Sequence, residues 1–463
     1  MRWLQGLAAS TLLLAGAAHA QSTGDARNAG AFAFVDVDVL PMDRDVRLES
    51  QTVVVRDGRI VAVGPSASVD VPDDATRIAG EGRVLMPGLA EFHGHVPGGD
   101  DPAYVQDTLA LYLANGVTLV RNMSGDVSHP ELRARIEGGE VDGPTMVVAS
   151  PWLHSRDADE AARAVRAHHA AGFDLVKIGS LPADAYPLMA ETAHAVGIPF
   201  AGHIPDGVPL EAALDAKQTS IDHFDRYVEF LVPPGTDTGD REAGWFGSGW
   251  IQWADRGRLE DAVTRTRAAG TWNVPTLTLV EHMASAETPE AMLQWQEMRY
   301  MPASERERWR LAKHEYAARE TFQPEAVRAL VTLRRELLKA LHDGGAPIVL
   351  GSDAPQFFNV PGFSIHREMA MMQAAGLTPY EVLVTGTRNA AQALGTPMHS
   401  APWRWAVVRI CCYSPAIRAR ICRRRSRRSV SWRAVGGGHA KRSTRVWRRS
   451  PTATRSDRRP PRT

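Results

Sequence analysis

An α/β fold, a (β/α)8 TIM barrel behind a small N-terminal β-domain, is what this sequence predicts, on three observations. Eight short runs rich in β-branched residues recur between positions 89 and 353, most of them separated by amphipathic stretches such as 157–171, the alternation expected of a parallel sheet with crossover helices. Upstream of position 85 the pattern is different: apolar and polar residues alternate between turn signals, as in antiparallel strands. Finally, five of the eight runs end in residues able to bind a divalent cation, and in a barrel such ends converge on one mouth.

The 463 residues suffice for one large domain with an accessory domain. Residues 1–20 pair Arg2 with an apolar run and end in Ala18-His19-Ala20, which reads as a secretory signal and predicts a secreted or periplasmic protein. No later stretch is apolar for long enough to predict a membrane span. In 21–84 the hairpin signature is "TVVVRDGRIVAVG", with Asp57-Gly58 between two β-rich runs. Over 85–398 the expected barrel strands are "LAEFHGH", "GVTLVRN", "TMVVAS", "LVKIG", "IPFAGH", "SIDHF", "VPTLTL" and "PIVLGSD". A doubly wound sheet is the alternative, but no glycine-rich phosphate loop follows an early strand. Polar, Trp-rich insertions within 228–324 flank "VPTLTL" and predict helical loops over one end of the barrel.

All three cysteines, Cys411, Cys412 and Cys422, fall near the carboxyl end. The body therefore has no disulfide framework, and a metal bound there must use nitrogen and oxygen ligands. In "FHGH", His93 and His95 are two residues apart, so an extended strand presents both imidazoles on one side. The other strand-end candidates are Lys177 in "DLVKIG", His203 in "AGHIP", His223 in "SIDHF" and Asp353 in "GSDAP".

The order His-x-His, Lys, His, His, Asp on successive strands resembles the amidohydrolase superfamily, in its binuclear branch near imidazolonepropionases and Xaa-Pro dipeptidases. Further matches are "VLMPGLAEFHGH" and "GFSIHREMAMMQAAGLTPYEVLVTGTRNAAQALG". The resemblance implies that His93, His95 and Asp353 bind one divalent metal and His203 and His223 a second. Zinc is the default, with manganese and cobalt compatible with the same ligands. Lys177 would bridge the pair as a carbamate, since an ammonium has only donors. A metal-bridging hydroxide would attack the carbonyl of an amide in a dipeptide or N-acyl amino acid, and Asp353 would carry its proton to the leaving nitrogen. Tyr227, four residues after His223, stands where related dipeptidases grip a substrate carboxylate. Its neighbour Arg226, and His154 after the third strand, are further candidates for substrate contact.

Residues 399–463 carry 19 Lys and Arg against one acid, Asp457, leaving 34 basic and 52 acidic residues in 1–398. Family members end differently, in a stretch like G-x-V-x-x-G-x-x-A-D-L followed by strands that complete the small β-domain. The codons of Trp403-Arg404-Trp405-Ala406, shifted by one base, spell an aliphatic residue, Ala, a second aliphatic residue and Gly, as that ending requires. A frameshift near Met398 is the inference, with a disordered tail and an incomplete β-domain as its expected consequences. Nucleic acid is not an expected partner, because the tail lacks RNA-binding signatures and apolar periodicity. Two alternatives to the dipeptidase-like reading are a hydrolase of cyclic amides or lactones and an inactive barrel with a basic binding tail. The sequence leaves a homo-oligomer open.

Overall fold

The computed structural model describes residues 30–319 and 322–395, and the backbone of 410–413 and 433–435. The leader expected over 1–20 lies outside the described residues, as does most of the basic tail. Strands β1 (Ala31–Val39), β2 (Leu48–Arg56), β3 (Arg59–Pro65), β4 (Thr76–Ala79) and β5 (Val84–Pro87) form an N-terminal sheet. β1 pairs antiparallel with β2 and parallel with β4 and β5. The β2–β3 hairpin closes at Arg56 and Arg59, and Asp57 (φ 49°) and Gly58 (φ 72°) both take positive φ, as a two-residue primed turn demands. Alternation sends Phe34, Val53, Val55 and Leu85 into one buried cluster.

The second sheet system is parallel. It comprises β6 (Leu89–Gly94), β7 (Val117–Asn122), β8 (Thr145–Val148), β9 (Val176–Ile178), β10 (Phe200–Gly202), β11 (Ser220–Asp222) and β12 (Trp272–Val274). β6–β7–β8 and β9–β10–β11–β12 are each continuously paired, and a parallel bridge from Ala149 to Leu175 joins them. An eighth segment, 348–354, continues from β12 through the Asn273–Ile348 bridge. It returns to β6 by the bonds Phe92 N to Leu350 O (2.9 Å), Asp353 N to His93 O (2.8 Å) and His95 N to Ala354 O (2.7 Å). The chain of pairings therefore comes back to the strand where it began. Helices such as Pro102–Ala114, Ala158–Ala170, Tyr186–Val196 and Pro324–Asp343 lie between these segments and bury their apolar stripes in the largest core cluster.

Two expected strands differ from what is observed. The run 274–279 contributes only Val274 to β12. Pro275 cannot donate to a ladder, Thr276 turns at φ 45°, and the helix Leu277–Ala284 begins, its Leu277, Val280 and Met283 buried. Glu368 receives the free amides of this helix's first turn, Leu277 N and Thr278 N, both at 2.8 Å. The run 347–353 pairs by separate bridges and bonds and ends in a turn at Asp353 (φ 61°).

The insertions build helices Pro289–Met292 and Ala303–Ala317, whose Met292 and Trp309 share one buried cluster with Met283, Met298, Phe357 and Phe358. In the basic tail, Ile410–Tyr413 (β13) lies antiparallel to β5, and Arg433–Val435 (β14) lies beyond it. β5 is thus paired at four residues with a segment of the tail that was expected to be disordered. No described helix is long and apolar enough to cross a membrane.

Candidate metal centre

All six residues marked out at strand ends meet at one place, on the carboxyl side of the parallel segments. His93, on β6, has its Nε2 3.6 Å from Asp353 Oδ1, and His95 Nε2 lies 3.2 Å from the same oxygen. His223 follows β11 and is oriented with its Nδ1 3.8 Å from Asp353 Oδ2, its ring 4.6 Å from that of His93. His203 follows β10 and stacks on His223 at 4.9 Å. Lys177, on β9, is fully buried, its Nζ 3.9 Å from Asp222 Oδ2.

The ring nitrogens are oriented by neighbours. His93 Nδ1 lies 2.7 Å from Asp222 Oδ2, His203 Nδ1 is 2.8 Å from Asp225 Oδ2, and His223 Nδ1 is 2.7 Å from Thr276 Oγ1. Such partners fix ring orientation and leave the opposite nitrogen for a ligand or a cation. Asp222 is itself buried and held by Ser220 Oγ (2.9 Å) and Arg121 Nη2 (3.2 Å). Burial alone would raise its carboxyl, but Arg121, His93 and Lys177 keep it well below the usual carboxylate range. Burial pushes His93 down to about 3, with Lys177 adding to the effect, and holds His95 and His223 well below the ordinary imidazole value. All three are therefore neutral imidazoles at neutral pH, the state that donates a lone pair.

The arrangement has the features of a cation site. His93, His223 and Asp353 each offer a ligand atom, all within 4.8 Å of one another. Four polar atoms at the same place are buried without a well-directed hydrogen bond: His93 Nδ1, although Asp222 Oδ2 lies 2.7 Å away, His95 Nε2, Lys177 Nζ and Asp353 Oδ1. Buried polar atoms are nearly always satisfied, so a cluster of orphans made of nitrogen and carboxylate oxygen suits a hard or borderline divalent ion. Burial raises Asp353 to about 7, outweighing the opposing pull of Lys177.

The residues expected to touch substrate fare differently. Tyr227 is fully buried, with its hydroxyl 2.8 Å from Thr266 Oγ1 on the helix Leu259–Ala269, and so does not join the cluster. Arg226 braces the turn after His203: it donates to Ile204 O and pairs with Asp206 and with Glu229 (3.0 Å). His154 accepts from Ser180 N at 3.2 Å, its ring 6.2 Å from that of Trp152.

Trp152 itself was not foreseen. Its ring lies 5.4 Å from His203 and 5.2 Å from Lys177 Nζ, and it lines a cleft of about 580 Å³ beside His95, together with Tyr104, Asp126, Glu305, Arg308 and Gln356. Arg334 was also missed. It is buried beneath the site, where it donates to the carbonyls of His223 and Pro275. Glu91, two residues before His93, binds Ser352 N (2.7 Å) and Ser352 Oγ (2.6 Å), clamping the eighth segment to β6.

Comparison with known proteins agrees with this geometry. The family model described as Amidohydrolase family matches residues 84–399. An imidazolonepropionase from Micrococcus luteus is 31% identical over 125 residues, 26% of this chain and 31% of that protein. The chain thus aligns with about a third of that relative's length. Among solved structures, a candidate prolidase from Bifidobacterium longum superposes with a TM-score of 0.61 at 19% identity, covering 91% of this chain and 99% of that one. A Xaa-Pro dipeptidase with methionine bound in its active site gives 0.58 at 14% identity, covering 83% and 94%. At these identities the two likenesses concern the fold.

Proposed function

The chain belongs to the amidohydrolase family, and on that premise we propose that it is a metal-dependent hydrolase of C–N bonds acting on a dipeptide or N-acyl amino acid. The carrying observation is the convergence of His93, His95, His203, His223, Lys177 and Asp353 around orphaned buried ligand atoms. The closed sequence of parallel pairings, and the fold likeness to prolidase-type structures, support a (β/α)8 barrel with this site at its carboxyl mouth.

His93, His95 and Asp353 would hold one divalent ion, and His203 with His223 a second, Lys177 standing between them as a carbamate. Zinc is the default, and the nitrogen and oxygen ligands also suit manganese or cobalt. When bound, the ions supply an activated water and polarise the scissile carbonyl. Asp222, Asp225 and Thr276 keep the imidazoles aimed. Asp353 Oδ1, which receives no hydrogen bond from the protein, would accept a proton from the attacking water and return it to the departing nitrogen. Trp152 packs beside His203 and the Lys177 ammonium at the cleft. The imidazolonepropionase likeness favours a cyclic amide as the second reading.

The test is metal analysis and amide hydrolysis on the same preparation, with Asp353→Asn beside it. About two ions per chain, and a loss of turnover of 10²-fold or more in the variant, are expected. Folded protein that takes up no divalent metal from a zinc, manganese or cobalt buffer would sink the proposal.

A further inference from the structure

His93, His203 and His223 each have a neighbour that aims the ring at Nδ1. Among the described residues no side chain does this for His95, so its aim must be set through its backbone. The segment that follows it, Val96, Pro97 and Gly98, lines the cleft together with Ser124, Gly125 and Asp126 from the loop after β7. Neither loop belongs to a strand or a helix, and their backbone groups must find partners outside any ladder. Val96 N donates to Asn122 Oδ1 at 2.9 Å, and Gly99 N to Ser128 Oγ at 3.1 Å. Both loops also meet on His129, which is fully buried at the start of the helix His129–Glu137. Its Nε2 lies 3.0 Å from Pro97 O, and its Nδ1 lies 2.8 Å from Asn122 Nδ2 and 2.9 Å from Asp126 N.

These contacts admit one protonation state. A backbone N–H only donates, so Asp126 N requires an acceptor at Nδ1. The Asn122 amide oxygen already receives Val96 N, which turns its NH2 group toward the same Nδ1. Nδ1 therefore carries no proton, and the ring donates from Nε2 to Pro97 O. A proton added at Nδ1 would face two donors at once. Burial holds His129 below the ordinary imidazole value, in keeping with a neutral ring. The Asp126 carboxylate, the charge nearest the ring, is occupied by Ser128 N (2.9 Å) and Ser128 Oγ (2.5 Å). The bonds converge on the peptide units just after His95, whose own N is held by Ala354 O at 2.7 Å.

We infer that His129, as the neutral Nε2–H tautomer, is the positioning residue for His95: with Asn122 it locks the segment that leaves the His-x-His pair, and with that segment one wall of the cleft. His93 is aimed by a side chain at its ring, and His95 by an imidazole that grips its main chain. The shape of the cleft and the placing of a ligand are thereby coupled through one ring. The inference rests on the hydrolase reading only for His95 being a metal ligand, and the lock itself stands apart from it.

Two measurements on the full chain separate the lock from its use. Amide exchange of the metal-free protein, followed by mass spectrometry, reports on 95–101 and 122–129. In His129→Leu these segments should exchange about 10-fold faster, as the loss of about one buried hydrogen bond in each implies, while the parallel strands keep their protection. Zinc affinity, measured against a chromophoric chelator, should fall about 10-fold in the same variant, the lower end of the scale for groups that support a ligand. His129→Asn keeps an acceptor near the place of Nδ1, and His129→Gln a donor near that of Nε2, so each should recover part of both losses. Near-ultraviolet circular dichroism shows whether each variant keeps the native packing, and if His129→Leu does not, the Asn and Gln variants are read against the unaltered chain in its place. Exchange equal to that of the unaltered chain overturns the lock. Faster exchange with zinc affinity unmoved makes His129 a residue of structure alone and overturns its positioning of His95. If the unaltered chain takes up no zinc while exchange responds to His129→Leu, the hydrolase reading falls, with the role toward His95, and the lock stands.

Discussion

His93 Nδ1 and Asp222 Oδ2 lie 2.7 Å apart, both side chains fully buried, although 129 positions separate them in sequence. Asp222 belongs to β11 and His93 to β6, and Arg121 on β7 completes the contact. The pair fixes the His93 ring and strengthens it as a donor.

Asp222→Asn should therefore weaken metal binding about 10- to 100-fold, the usual scale for a partner of a ligand histidine. Competition against a chromophoric chelator measures this directly. An affinity equal to that of the unaltered chain would show that Asp222 serves packing and not the metal.

Gly202, just before His203, has φ +108°, and a Cβ there would stand 2.7 Å from Lys177 Cδ and 2.9 Å from its Nζ. Gly202→Ala is expected to displace Lys177 and strain the backbone, at about 1–3 kcal/mol in stability and with most of the hydrolysis lost. Full activity in this variant would remove Lys177 from the reaction.

Arg334 donates to His223 O and Pro275 O from a fully buried position, where burial lowers its own pKa to about 10. Arg334→Met leaves two carbonyls unmet beneath the site, and a loss of about 3 kcal/mol in urea unfolding is expected. A loss below about 0.5 kcal/mol would mean that water replaces the guanidinium at no cost.

Glu368, which caps the helix Leu277–Ala284, is raised by burial to about 7 from 4.5. Its protonated form is favoured in the fold, so the native state binds more protons than the unfolded chain between pH 4.5 and 7. Stability from this group is then largest below pH 4.5 and is lost as pH rises through about 7, by roughly 3 kcal/mol at most. Unfolding free energies should fall less over that interval for Glu368→Gln than for the unaltered chain. Parallel slopes would show that Glu368 does not titrate there.

What could be read from the sequence followed regular spacing. The His-x-His pair and the strand-end positions of Lys177, His203, His223 and Asp353 located the residues that converge at the candidate metal centre, and Asp57-Gly58 located the hairpin. Asp222 escaped because alternation sends neighbours to opposite faces, so Asp222 and His223 should not share a site. They do, since β11 ends at Asp222 and His223 turns at φ 61°. Asp353, also at φ 61°, ends its run in the same way. In 274–279, apolar periodicity over six residues fitted a strand as well as a helix turn, and Pro275 decided between them. Tyr227 was placed by its spacing from His223, but Arg226 starts a short helix at φ 67° and carries that tyrosine into the core. Trp152, Arg308 and Tyr104 belong to loops and helices whose meeting depends on tertiary packing, which no local pattern encodes.

The clamp between Glu91 and Ser352 spans 261 positions. During synthesis the chain leaves the ribosome from its amino end, so His93 and His95 emerge long before the segment that holds Asp353. The donors on β6 must wait, unpartnered, until three quarters of the polypeptide exists. A nascent chain stalled before position 348 should expose the facing edge of β6 and capture metal poorly. On the proposed metal site, then, uptake of ions would be a late event of biogenesis, tied to the closing of the last strand-like segment against the first.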